Sequence, residues 1–435
     1  MSELFRFSKL NREQRINYII AHSELSLSDS LGLYDYQAPP ENPQQLFSDM
    51  IENYIGNFPL PMGVVSNMVI NEESFIVPFV TEESSVIAAA SKAARYWSQR
   101  GGFRTNVKSM TKKGQVHFTW NGKQQNIKLL FPLIREKLLT ATLEITEKMR
   151  QRGGGITEIV LIDKTAELTD YYQIDVSFLT VDAMGANFIN SCLEKIASVL
   201  LQLNELKTDD CQVELIMSIL SNYTPECKVN CLVECPVTML TDWTGKSDFH
   251  PFVTKFKQAV DIAHLDISRA VTHNKGIFNG IDAVLLATGN DLRATAAAGH
   301  AYASRNGTYK SLTTISLDDD MFRYELELPM AVGTVGGITQ IHPTVKNVFA
   351  ILNYPDARKL MMIAAAAGLA NNFAAVASLT TTGIQQGHMK MHLTNILNQL
   401  NVTNAEREAV NIFFSDKTVS YSAVENFIGH IRNKI

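Results

Sequence analysis

Between Thr272 and Asp291 the sequence T-H-N-K-G-I-F-N-G-I-D-A-V-L-L-A-T-G-N-D sets a histidine, a lysine and two aspartates among three glycines. Reactive side chains held by tight backbone make a candidate site. Lys275 is flanked by Asn274 and Gly276, so its ammonium is expected to leave a turn. An ordinary loop lysine fits the same pattern, and this stretch alone leaves both readings open. Elsewhere, T-E-E-S-S puts Glu82 and Glu83 in the expected first turn of an alanine-rich helix, with Thr81 as its N-cap. The helix dipole favours ionised carboxylates there, so a proton-donating Glu83 needs burial to raise its pKa.

The chain that must position these groups has 435 residues, 46% hydrophobic and 19% charged, with a net charge of -5. Such values belong to an ordinary globular protein with room for two or three domains and no basic field for nucleic acid. The N-terminus lacks the blocks of a signal peptide, and the apolar run from Met361 to Ala370 is too short to span a bilayer. The reading is cytoplasmic. Five cysteines are too few for a disulfide framework, and Cys227, Cys231 and Cys235 alternate with Val229 and Val233 as one buried strand face does.

The first fifty residues read as mostly helical, followed by a strand at Ser74 to Val80. Val116 to Trp120 and Ile127 to Phe131 read as a hairpin, and Pro132 opens a helix carrying Ile134, Leu138, Ala141, Ile145 and Met149 until Gly153 stops it. Strands at Ile156 to Ile162 and Tyr171 to Leu179, a helix from Asn187 to Leu203 and a strand from Gln212 to Leu220 complete a unit of two helices and about five strands. The fold class is therefore α+β: a large, mainly helical domain (1-110 and 222-379), an inserted ferredoxin-like small domain (111-221), and a C-terminal helical lid (380-435) on a Thr380–Gly383 hinge. Two further lid helices start near Asn404 and at a capping box of Ser422 with Glu425.

D-A-M-G-A-N, Asp182 to Asn187, is a strand-turn-helix junction able to hold a phosphate, yet G-x-G-x-x-G is absent. G-K-S at Gly245 to Ser247 lacks the first glycine of a P-loop, which excludes that mode of ATP binding. His388 and His392 stand one turn apart but have no H-E-x-x-H glutamate and no evident third ligand, so no metal is expected.

Taken in order, E-N-Y-I-G, T-E-E-S-S, D-A-M-G-A-N, T-H-N-K-G-I-F-N-G-I-D, A-T-G-N-D, G-T-V-G-G and G-H-M resemble the 3-hydroxy-3-methylglutaryl-coenzyme A reductase family, in its soluble bacterial (class II) form. The resemblance implies reduction of the HMG-CoA thioester by NADPH or NADH, through a mevaldehyde-level intermediate, to mevalonate and free coenzyme A. It implies that Lys275 stabilises the oxygen gaining charge, Glu83 supplies a proton, Asp291 links the two by hydrogen bonds, and the lid histidine His388 protonates the departing thiolate. Arg269 and Ser85 would hold the hydroxymethylglutaryl group, Asn279 a contact near the reacting carbonyl, and Glu52 and Asn53 positions near substrate. Asn371 stands where some relatives carry glutamine as a substrate contact.

Asp182, Met184, Gly185 and Asn187 would form the dinucleotide motif, with Asn222 nearby. Where NADH-using members carry an aspartate for the ribose hydroxyl, this chain has Thr146, with Lys148, Arg150 and Arg152 close by, implying tolerance of or preference for NADPH. Three cations complementing a helix dipole is the competing reading. The resemblance further implies a homodimer, or a higher even oligomer, whose active sites draw on both subunits. The same chemistry in reverse, as catabolic mevalonate oxidation, and a non-catalytic CoA-binding protein remain the alternatives.

Overall fold

The computed structural model describes residues 7–26, 43–207, 211–240, 243, 249–381, 383, 393, 396–414, 417 and 419–432. Two early helices, α1 (Arg12–Ala21) and α2 (Pro43–Ser48), precede the hairpin of β1 (Met62–Ile70) and β2 (Glu73–Val80) and helix α3 (Ser84–Ser98). Next come β3 (Arg104–Val107), β4 (Thr111–Trp120), α4 (Gln124–Ala141), α5 (Leu143–Gln151), β5 (Gly155–Asp163), β6 (Tyr171–Leu179), α6 (Ala186–Leu200) and β7 (Val213–Ser221). The rest is β8 (Lys228–Pro236), α7 (His250–Leu265), α8 (Ile267–Ala287), α9 (Leu292–Ala303), β9 (Thr313–Asp318), β10 (Met321–Pro329), α10 (Pro343–Ile351), α11 (Ala357–Leu379), α12 (Asn404–Phe413) and α13 (Tyr421–Arg432).

Two four-stranded sheets carry the molecule. The first, ordered β3-β8-β10-β9, is antiparallel throughout, and its covered face is the alternating series Val229, Cys231, Val233 and Cys235 facing Phe322, Tyr324 and Leu326. The cysteines are thus free and buried as strand-core residues, as their alternation predicts. The second, ordered β5-β6-β4-β7, is also antiparallel and has its own core, with Val116 and Phe118 packed beneath Ile127, Ile134 and Leu138 of α4 and Ile189, Leu193 and Ile196 of α6.

There is no hairpin at 116–131, because Ile127 to Phe131 lie inside α4. Ile127, Leu130, Phe131, Ile134 and Leu138 recur at helical spacing, and that longer pattern overrides the strand character of the short run. Pro132 therefore sits inside a helix and does not open one, its missing N–H bond offset by the burial of Ile127 and Ile134 on either side. The chain breaks at Thr142, whose hydroxyl donates back to Leu138 and Leu139, so α4 and α5 are two helices and Ile145 is exposed. Among its described residues the unit contains four strands and three α-helices, one strand fewer and one helix more than read.

Helix α3 is N-capped by Glu83, with Thr81 Oγ1 accepting from the Glu83 N–H at 3.1 Å. The last helix starts at Tyr421, one residue before the expected box, and Ser420 Oγ accepts from Ala423 N–H. Its neighbour α12 carries the capping box, formed by Thr403 and Glu406.

At the centre of the molecule α8 lies against α11. A Cβ on Gly280 would fall 2.3 Å from the Ala367 carbonyl oxygen, and one on Gly368 would fall 2.8 Å from Ile281, so the absent side chains let the two backbones meet. Helix α11 is long and apolar enough to cross a membrane, yet 89% of its most apolar window is buried inside the fold, which makes it a core helix.

Candidate active site

Lys275 does not leave a turn. It projects from the middle of α8, which runs unbroken through Asn274 and Gly276. Tertiary bonds override the local preference: the Asn274 amide donates to the Lys310 carbonyl at 2.9 Å and accepts from Leu312 N–H at 3.0 Å, while Asn372 donates to the His273 carbonyl at 2.8 Å. His273 Nε2 meets Thr313 Oγ1 at 2.7 Å, Thr313 meets the Tyr324 hydroxyl at 2.9 Å, and that hydroxyl donates to Asn372. Burial, with Arg269 and His264 adding to it, holds His273 down to about 3, so it stays neutral. The network fixes the turn of α8 that carries Lys275.

The side chain so fixed meets Glu83 across 192 residues of sequence, with Lys275 Nζ 3.0 Å from Glu83 Oε2. The other carboxylate oxygen, Oε1, accepts from the Ser85 hydroxyl at 2.7 Å. Both partners remain accessible, with 61% and 36% of their side-chain surfaces exposed. Asn279 stands one turn beyond Lys275 on the same face of α8, and Asp282 continues that stripe. Burial pushes the Asp282 carboxyl up to about 6, and its Oδ1 has no hydrogen-bond partner among the described residues. Arg269 lies in the first turn of α8, roughly 120° round the helix from Lys275. Burial lowers its pKa.

Asp291 is elsewhere. It N-caps α9, its Oδ1 accepting from Ala294 N–H at 3.0 Å and lying 3.5 Å from Arg293 Nε, and it makes no hydrogen bond to Lys275. The part of α8 between Lys275 and Ala287 is roughly 18 Å long, which accounts for the separation. The expected direct link between these two residues is therefore not formed within the chain.

Around Asp291 a second group of motifs converges. The Asn290 side chain accepts from Gly333 N–H at 2.8 Å, and Thr334 N–H donates to the Asp182 carbonyl at 2.8 Å. A Cβ on Gly333 would lie 2.4 Å from Met184 N, so G-T-V-G-G must lack a side chain there to pack on D-A-M-G-A-N. The Asp182 carboxylate accepts from Ala357 N–H at 3.0 Å, at the start of α11. Gly185 caps α6 at φ 88°, and an added Cβ would lie 2.5 Å from Thr180. No side chain caps α6 and Asn187 in its first turn is exposed, so its leading N–H groups suit an anion such as a dinucleotide phosphate. A small cleft beside it is lined by Met184, Ser221, Asn222, Thr224 and Lys112. Sequence reasoning missed Lys112, although it falls in the inward register of β4 with Gly114, Val116 and Phe118.

The remaining expected residues divide. Thr146 is 3% exposed, and its hydroxyl donates to the Thr142 carbonyl at 2.8 Å, so it is turned into the fold. Lys148, Arg150 and Arg152 are exposed, and none forms an ion pair among the described residues. Asn371 is buried, its amide 3.5 Å from the Ala367 carbonyl. Glu52 and Asn53 are exposed in the segment that carries the fully exposed Ile55. His388, His392 and the Gly245–Ser247 motif lie outside the described residues.

A family model described as hydroxymethylglutaryl-coenzyme A reductase matches residues 11–393. The chain is 34% identical to the 3-hydroxy-3-methylglutaryl-coenzyme A reductase of Archaeoglobus fulgidus, over 93% of this chain and 88% of that one. It also resembles a solved structure of the class II enzyme from Streptococcus pneumoniae bound to NADPH in open conformations, at 34% identity and a TM-score of 0.77, covering 86% of this chain and 99% of that one. A second structure of the Streptococcus pneumoniae reductase covers 98% of this chain and 99% of its own at 33% identity and the same TM-score of 0.77. With seven motifs in family order and a family model spanning most of its length, the chain belongs to the hydroxymethylglutaryl-coenzyme A reductases, which are NAD(P)H-dependent oxidoreductases.

Proposed function

We propose that the chain works in the reductive direction, converting HMG-CoA to mevalonate and coenzyme A, with Lys275, Glu83, Asp291 and His388 as its catalytic groups. The observation that carries this reading is the Lys275–Glu83 contact at 3.0 Å, oriented by Ser85 from the other side. The Lys275 ammonium meets the substrate oxygen as it gains negative charge, which a fixed cation does at little reorganisation cost. Glu83 passes a proton to the aldehyde-level oxygen, and Ser85 holds the carboxyl group in place. Arg269 takes the substrate carboxylate with two parallel hydrogen bonds, and Asn279 sits beside the reacting carbonyl. His388 protonates the leaving thiolate.

The residues 111-221 form a ferredoxin-like insert in this reading, supported by the β-α-β-β-α-β succession and the strand order β5-β6-β4-β7. The insert holds the dinucleotide at Asp182–Asn187 and Asn222. The bound reduced nicotinamide would supply the reducing equivalents. NADPH is favoured over NADH by the exposed cations Lys148 and Arg150, neither of which forms an ion pair among the described residues. Residues 380-435 act as the lid, supported by the separate small core of Leu393, Ile396, Val410 and Val424. The protein is read as cytoplasmic and homodimeric. Since α8 holds Asp291 away from Lys275, Asp291 joins the pair from a second copy, and the exposed Ile55 and Phe58 beside Glu52 and Asn53 suit that interface.

The test follows the absorbance of reduced nicotinamide after addition of HMG-CoA. Oxidation of NADPH with release of free thiol, at higher kcat/KM than with NADH, is expected. Coenzyme A binding with neither nicotinamide consumed would overturn the assignment, and a strong NADH preference would overturn the cofactor choice.

A further inference from the structure

Lys112 has no part in the chemistry derived above. It lies in the covered register of β4 and is only 2% exposed, so the strand carries an ammonium into the protein interior. A buried cation is expensive unless something nearby requires it. Its hydrogen-bond acceptors are neutral: Thr180 Oγ1 at 2.6 Å and the Ala183 carbonyl at 3.2 Å. Thr180 in turn donates to the same Ala183 carbonyl at 2.6 Å, so three groups lock one corner of the turn. That turn leads directly into Met184 and Gly185, the cap of α6. Burial lowers the Lys112 pKa, opposed through space by Cys227 and then by Asp182, whose Oδ1 accepts from Ala357 N–H. Lys112 also lines the cleft that holds Met184, Ser221 and Asn222. In that low-dielectric setting its charge acts on a nearby anion more strongly than a surface lysine would.

We propose that Lys112 is a positioning residue for the nicotinamide dinucleotide, clamping the Thr180–Ala183 turn so that the α6 N–H groups face the diphosphate and adding the positive charge that the anion requires. The inference rests on the dinucleotide placement at Asp182–Asn187 given above. An anion bound there adds a counter-charge to the through-space one of Asp182.

Steady-state kinetics and NADPH binding, read by fluorescence of the reduced nicotinamide, test it on the full chain. Lys112→Met should raise Kd and KM for NADPH roughly ten- to a hundredfold, the effect of losing a charge-assisted hydrogen bond, and leave KM for HMG-CoA unchanged. Lys112→Arg, which keeps the charge, should recover much of that loss. Thr180→Val, which removes the acceptor hydroxyl and keeps the shape, should weaken NADPH in the same direction. Wild-type NADPH affinity in a folded Lys112→Met, or in Thr180→Val where Lys112→Met does not fold, overturns the proposal. So does a uniform loss in kcat and in both KM values, which would make the lysine merely structural. Gly185→Ala in the same assay separates the two layers: if it binds NADPH like wild type, the dinucleotide lies elsewhere and the inference falls with that placement. If it loses NADPH while Lys112→Met does not, only the lysine assignment fails.

Discussion

A lysine facing a glutamate at 3.0 Å on the surface of a protein invites two explanations, stability or chemistry, and exposure decides between them. With 61% of Lys275 and 36% of Glu83 accessible, the pair stands in high dielectric, where such contacts contribute about 0–1 kcal/mol. Lys275→Ala should therefore leave the urea midpoint close to wild type while kcat falls by roughly a hundredfold or more, as when a preorganised donor is removed from an oxyanion site. A variant with near-normal turnover, or one that loses activity only because it unfolds, would refute the role. The residue types at this site were legible in the sequence, because T-H-N-K-G and T-E-E-S-S name their reactive groups directly. Their contact was not, since 192 residues separate the partners. Lys112 was missed for another reason: a lysine in a strand reads as solvated until the register of Gly114, Val116 and Phe118 shows which way it points.

At the scale of the element, local propensity misled wherever tertiary packing outweighed it. Asn274 and Gly276 read as a turn, yet the Asn274 amide bonds to Lys310 and Leu312, so its polar group serves a distant loop and not a local break. Ile127 to Phe131 read as a strand because a short apolar run does not distinguish a strand from a buried helix, and only the sequence through Leu138 reveals the period. By contrast, the strands read at Tyr171 to Leu179 and Ser74 to Val80 were legible, the first by its alternation and the second by its short apolar run. Close packing of α8 on α11 gives the site its rigidity, and Gly280 is the point of nearest approach. Gly280→Ala adds a Cβ 2.3 Å from the Ala367 carbonyl, which the intervening backbone must move to accommodate. Overpacking of this kind costs about 1–3 kcal/mol, so the denaturant midpoint should fall and kcat with it, as the turn bearing Lys275 shifts. The helix preference of alanine would act the other way, by about 1 kcal/mol, so a rise in stability would mean that the two helices separate more easily than their packing indicates.

Across the whole molecule the motifs gather into two groups, Glu83 with Ser85, Lys275 and Asn279 on one, Asp291 with Asp182–Gly185 and Gly333 on the other. The roughly 18 Å of α8 between Lys275 and Ala287 is too stiff to bring them together. If the two groups are halves of one reaction centre, as proposed, the rigid element between them requires each complete centre to take one half from each of two copies, a geometry that the proposed twofold dimer satisfies twice. Complementation can read this directly. Lys275→Ala and Asp291→Ala homodimers should each be inactive, and each should retain one intact version of the half it contributes. After the two are mixed, dissociated and reassociated, the heterodimer carries one centre with both lesions and one with neither, so NADPH oxidation should return. Random pairing makes half the dimers mixed, each with one working centre of two, and the recovered rate should approach about a quarter of wild type. Reassociated dimers that stay inactive, with subunit exchange verified by a mass tag, would place Lys275 and Asp291 in the same chain's centre, and α8 would then have to bend for the reaction to proceed.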